Sequence, residues 1–117
     1  MAEYLPVFKP GQAFTLQASA TITAGQLVEV SGSGTVGPAG AASTKVVGVA
    51  AFDAASGDKV TVYAGGIQHG VAAGAITAGA VVQAGAAGTV ASGTTAPIGV
   101  ALTTAADTAD VRVLFNR

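Results

Sequence analysis

Gly32-Ser33-Gly34-Thr35-Val36-Gly37 spells G-x-G-x-x-G after an apolar run, and Asp53 stands nineteen residues beyond Gly34. That spacing belongs to dinucleotide binding, where glycines let the backbone approach a pyrophosphate and an acid holds a ribose hydroxyl. The same chemistry needs a helix whose N-terminus receives the phosphate. Here Pro38, Gly40 and then a β-branched run follow, so the segment is expected to be a turn. His69 is the only histidine and would have to serve as the base of any Ser/His/Asp set, but no G-x-S-x-G elbow occurs. It is expected to pack in a connector or at a subunit contact. One histidine and no cysteine exclude thiolate zinc and most transition-metal sites. Asp53 with Asp58, and Asp107 with Asp110, would suit acid/base or calcium chemistry, yet their spacing lacks the EF-hand pattern and aspartate is favoured in turns. No catalytic, cofactor-binding or metal-binding residue is assigned, and the chain reads as non-enzymatic.

The elements that position these residues are written twice. ITAGQLVEVSGSGTV (22–36) aligns without gaps on ITAGAVVQAGAAGTV (76–90), matching at eight of fifteen positions at an offset of 54. Three residues then drop out, so Val47-Gly48-Val49-Ala50 meets Ile98-Gly99-Val100-Ala101 and Val60-Thr61-Val62 meets Val111-Arg112-Val113 at an offset of 51. One supersecondary unit used twice is the expectation, over 22–65 and 76–115. It pairs Val28 with Val82, Val49 with Val100 and Val62 with Val113. Phe14, Leu16, Ala18, Ala20 and Ile22 alternate with polar or small residues, and Gln26–Val30, Thr35-Val36, Lys45–Ala51 and Lys59–Tyr63 read as strands between glycine-rich turns. Gly48, inside a β-branched run, predicts a bend, a bulge or a close backbone approach. Ile67–Ala73 reads as the connector between copies, and Ala101–Ala109 as the one place for a helical turn. The fold class is all-β: a small barrel, or a β-clip or β-tulip-like domain, built from two related halves with an extended N-terminal arm.

The 117 residues are read as an arm over 1–12 and a single β domain over 13–117. Half of the residues are hydrophobic, but much of that is alanine and only 5% are aromatic, so the core is marginal for an isolated subunit. Charged residues are 9%, well below the ~25% of ordinary soluble domains. A surface of Thr, Ser, Gly and Ala suits an assembled particle. The five cations are scattered and the net charge is −1, which argues against nucleic acid as a partner. No signal peptide is visible in MAEYLPVFKPG, and the apolar stretch Val71–Val82 is short of the ~20 residues of a bilayer span, so no membrane segment is expected.

In the arm, Pro6 and Pro10 exclude a helix or an interior strand. Tyr4 and Phe8, with Phe14 just beyond, are nevertheless half of the six aromatics. Tyr4, Leu5, Val7, Phe8 and Phe14 are therefore the candidate contact residues, toward a neighbouring subunit or a larger surface.

Pro6-Val7-Phe8-Lys9-Pro10-Gly11, Ala24-Gly25-Gln26-Leu27-Val28, the run Val47–Asp58, and Val60-Thr61-Val62-Tyr63 occur in an order and spacing that resembles the phage capsid cement, or head decoration, proteins. The resemblance extends through Gly66–Gly70 and Gly99–Thr103. It implies a non-enzymatic β-protein, made in the host cytoplasm, that binds the outer surface of an assembled icosahedral head. There such proteins, often trimers, reinforce contacts between major capsid proteins. A reading from another class is a carbohydrate-binding or adhesion module on a virion surface. With no Trp and two Tyr the chain is poorly equipped for sugar stacking.

Overall fold

The computed structural model describes residues 13–116, and these form ten short strands in two groups of five. The first group is β1 (Phe14–Ala18), β2 (Leu27–Gly32), β3 (Thr35–Pro38), β4 (Val46–Ala50) and β5 (Lys59–Tyr63). They close into a barrel in the order β1-β3-β2-β4-β5. The second group is β6 (Ile67–Val71), β7 (Val81–Ala84), β8 (Val90–Ser92), β9 (Pro97–Ala101) and β10 (Asp110–Phe115), in the order β6-β10-β9-β7-β8.

The two groups share one register. In the first, Leu27 faces Val49 and Val28 faces Gly48 before the ladder slips at Glu29. In the second, Val81 faces Val100 and Val82 faces Gly99 before it slips at Gln83. Val28 opposite Pro38 recurs as Val82 opposite Ser92, and Ala50 opposite Val62 as Ala101 opposite Val113. The isolated bridge of Ile22 with Ala54 recurs as Ile76 with Ala105. Even the parallel closure recurs: Ala18 beside Val36 in the first half, Ala72 beside Val90 in the second. There the Ser19 amide donates to the Val36 carbonyl at 2.9 Å and the Ala73 amide to the Val90 carbonyl at 2.7 Å.

This correspondence starts earlier than the sequence repeat. Ile67–Val71 is not a connector; it is strand β6, the counterpart of β1, paired antiparallel to β10 as β1 is to β5. The reason it escapes a periodicity reading lies at Gly70, which takes the place of Leu16. A Cβ on Gly70 would come within 2.6 Å of a Val90 methyl, so Val90 fills the volume that a side chain would have occupied. The helical turn is also elsewhere than expected. Ala101–Ala109 continues from β9 into the Ala105 bridge, and the one 3-10 turn among the described residues is Ala86–Gly88. Ala87 and Gly88 there have φ of 54° and 73°, and the Thr89 hydroxyl closes the turn by donating to the Ala86 carbonyl at 2.7 Å.

Strands β5, β7 and β10 bury alternate residues, whereas β2 and β4 are buried on both faces at Leu27-Val28 and Val49-Ala50. Ala18, Ile22, Val28, Val36, Ala50, Ala54, Val60 and Val62 form one cluster. Their eight counterparts, from Ala72 and Ile76 through Val111 and Val113, lie together in the other. Seven further residues complete that second cluster: Ala84, Ile98 and Phe115 from its own half, and Leu27, Ala39, Val46 and Val49 from the first. The outer flank of the first half is thus core for the second. Hydrogen bonds tie the same contact, from the Ala42 amide to the Ala84 carbonyl (2.9 Å), from the Gly88 amide to the Ala39 carbonyl (2.8 Å) and from Gln26 Nε2 to the Ala87 carbonyl (3.0 Å).

Candidate functional site

The segment that spells the dinucleotide fingerprint is a hairpin. Ser33 and Gly34 turn β2 into β3, with Gly34 at φ 74°, and β3 continues as an extended strand to Pro38. The backbone amides that would cradle a phosphate at a helix N-terminus are instead committed to a ladder. Asp53 accepts from the Ala24 amide at 2.8 Å, and Asp107 from the Gly74 amide at 2.8 Å. Both carboxylates fasten turns, but to segments 29 and 33 residues away, not to their own loops. No group of three or more His, Asp or Glu side chains able to hold a metal ion occurs among the described residues.

His69 is neither packed nor in a connector. It lies on β6 opposite Arg112 of β10, with Nδ1 at 3.1 and 3.2 Å from the Asp110 carboxylate oxygens. Its side chain is 68% exposed and that of Asp110 61%, so solvent screens the pair and leaves it little stabilising weight. A strand alternates its side chains, which sets His69 and Asp110 on the solvent face because Gly70 and Val111 face inward. The pair lines a shallow cleft of about 340 Å³ with Gly25, Gly70, Val71 and Thr108. Among the described residues, the imidazole's hydrogen-bond partner there is the Asp110 carboxylate and not a hydroxyl nucleophile.

Glu29, on β2, is held by a backbone amide and a nearby cation. Its Oε1 accepts from the Gly40 amide at 3.0 Å, and Lys45 Nζ stands 3.9 Å from Oε2. The Gly40 amide first, then the Ser43 hydroxyl and the Lys45 charge, hold it below the usual carboxylate range against the opposing effect of partial burial. Its work is to pin the loop between β3 and β4.

The surface with recognition capacity is the outer face of the second half. Ile67 on β6 faces Leu114 on β10, Leu114 faces Val100 on β9, and Val100 faces Val81 on β7. These four side chains therefore form one row across four strands, about 14 Å wide at the usual spacing between strands. All four are exposed, by 60%, 46%, 37% and 39%. Leu102, two residues beyond Val100, adds to the same face and is 44% exposed. The corresponding face of β1 and β5 in the first half carries Thr15 bonded to Thr61 (3.3 Å) and Gln17 bonded to the Gly57 carbonyl (3.1 Å), with Tyr63 as its large apolar group.

Of the candidate contact residues in the arm, Tyr4, Leu5, Val7 and Phe8 lie outside the described residues. Phe14 is on β1, half-buried against the core of its own half. The apolar row on the second half was missed in the sequence, since Val81 and Val100 there look the same as the buried Leu27 and Val49 to which they correspond.

A family model described as phage cement protein matches residues 8–116. Among solved structures the chain is similar to the N base of the head fiber gp8.5 of bacteriophage phi29, with a TM-score of 0.73 and 21% identity, over 90% of this chain and 93% of that one. At that identity the likeness is one of fold. Comparison with curated proteins finds no matching sequence.

Proposed function

The chain belongs to the phage cement protein family, and from that premise we propose that it binds the outer surface of an assembled icosahedral phage head and stabilises contacts between major capsid proteins. The family is one of structural phage proteins, which makes the chain a capsid-associated structural component. Its finer role is cementing: made in the host cytoplasm, it joins the completed head as a homo-oligomer, a trimer, with residues 13–117 as the folded unit and residues 1–12 as an arm. Tyr4, Leu5, Val7 and Phe8, with Phe14 at the root of the arm, supply apolar contact to the capsid or to a neighbouring subunit.

The family match along residues 8–116 carries this reading. The geometry supports it in two ways. The Asp53, Asp107 and Asp110 carboxylates and the His69 imidazole are engaged in turns and cross-strand pairs, and Ile67, Val81, Val100, Leu102 and Leu114 gather on one sheet face. The row of Ile67, Leu114, Val100 and Val81 on that face is aliphatic and offers no flat ring for stacking on a sugar, which disfavours an adhesion module.

Heads of the parent phage that lack the protein provide the test. Added protein should co-sediment with them to a saturable stoichiometry that matches a capsid symmetry site, and should raise the temperature at which the heads rupture. Heads that neither bind the protein nor gain stability from it would overturn the proposal.

A further inference from the structure

Three positions that are buried in the first half have counterparts on the surface of the second. Leu27, Val46 and Val49 are 0%, 3% and 5% exposed because the second half covers them. Their counterparts at the same ladder positions are Val81, Pro97 and Val100, and all three are exposed. The reverse holds on the other side of the same contact. Ala84 and Ile98 receive the first half and are buried to 1% and 0%. Their counterparts are Val30, which is 40% exposed, and Val47, which is only partly buried. The 3-10 turn Ala86–Gly88, which bonds Gln26 and Ala39 across the contact, corresponds to the turn at Gly32-Ser33-Gly34, which is exposed throughout. Among the described residues one packing contact is used internally, flank of the first half against the end of the second, and both complementary surfaces are left uncovered: a flank on the second half and a receiving end on the first.

We infer that these two surfaces meet between copies, so that the Val81, Pro97 and Val100 flank of one subunit packs on the Val30, Val47 and Ser33-Gly34 end of the next. The contact repeats between chains the arrangement that exists within one. It joins unlike surfaces, so it is head-to-tail, and it closes into a ring when the rotation per subunit permits. An apolar flank facing aliphatic Val30 and Val47 across a turn of small residues fits a second copy better than a charged partner. The uncharged flank also presents no ion that docking would have to strip of water. The inference deepens the cement reading by naming the surface through which the proposed oligomer forms, but it concerns association without a head present.

Sedimentation equilibrium of the full chain in the absence of heads tests it, with far-UV circular dichroism and melting used to show that each variant folds. Wild type should self-associate. Val81→Asp/Val100→Asp should weaken association at least roughly thirtyfold, as expected when two central apolar contacts are lost. Val30→Asp should do the same from the opposite side. Mixing these two variants should then yield one-to-one dimers and nothing larger, because one keeps the receiving end and the other keeps the flank. A wild type that stays monomeric at every concentration, or flank and end variants that associate as wild type does, would overturn the inference. So would a chain beginning at Gln12 that is monomeric while Val30→Asp still associates, since the flank would then hold a neighbour's arm. Intact association with no binding to heads would instead sink the cement reading and leave this interface standing.

Discussion

Gly48 and Gly99 occupy one place in the two halves, each opposite a slip in the ladder. A Cβ on Gly48 would collide with the Tyr63 carbonyl oxygen and stand 2.8 Å from a Val62 methyl; one on Gly99 would collide with the Leu114 carbonyl oxygen and stand 2.9 Å from its carbonyl carbon. Both the bulge and the close approach expected at Gly48 are present. A neighbouring strand's backbone cannot swing aside as a flexible side chain can, so Gly48→Ala and Gly99→Ala should each lower the unfolding free energy by about 1–3 kcal/mol in urea titrations. Gly40→Ala, whose new methyl would meet nothing closer than Glu29 Oε1 at 4.0 Å, should stay within about 0.5 kcal/mol. Three equal losses would contradict the steric account. Glu29 sets a pH dependence. A carboxylate whose folded pKa lies below its unfolded value stabilises the fold above the ordinary value of 4.5, and that contribution is lost as pH falls through the lowered folded value. Glu29→Gln keeps an acceptor for the Gly40 amide but drops the charge, so it should be less stable than wild type near neutrality and converge with it on acidification below 4.5. A gap that does not change with pH would show that the charge is irrelevant.

At the scale of elements, the arm carries the first prediction. In the proposed docking of residues 1–12, Pro6 and Pro10 would restrict the segment beforehand and so lower the entropy lost, while Tyr4, Leu5, Val7 and Phe8 would provide the area. Phe8→Ala should weaken binding to heads by roughly one to two orders of magnitude, a loss of ~1.4–2.8 kcal/mol, without unfolding the strands. A chain beginning at Gln12 that binds as tightly as wild type would reduce the arm to a tail. The strands themselves were legible where side chains alternate: Val60 and Val62, or Val111, Val113 and Phe115, bury as their spacing demands. β6 was not legible, because Gly70 carries no side chain to mark the inward face and Gln68 and His69 blur what remains. The candidate surface was less legible still. Val49 and Val100 sit at one ladder position in near-identical sequence, and only the packing of one half on the other makes the first core and the second surface.

The two halves, a closed five-stranded barrel and a five-stranded sheet with the same ladders, do not share their work equally. The first half encloses a core of its own, but the second completes its core with Leu27, Ala39, Val46 and Val49 from the first. Its own contribution is Ile76, Val82, Val90, Ile98, Val111, Val113 and Phe115 beside Ala72, Ala84, Ala101 and Ala105, and the first half closes over them. The core of the second half is thus continuous with the flank of the first, and the two should unfold in one cooperative transition. Leu27 is the residue to test, being fully buried, with its carbonyl oxygen where a Cβ on Gly88 would lie 2.8 Å away. Leu27→Ala should cost about 2–5 kcal/mol, the range for a buried leucine that leaves a cavity. Amide hydrogen exchange locates that loss: protection should fall in β9 and β10 of the second half as much as in β2, where the substitution sits. If β9 and β10 keep their protection while β2 loses it, the halves are independent units in contact, and the flank of the first is a covering and not part of the core.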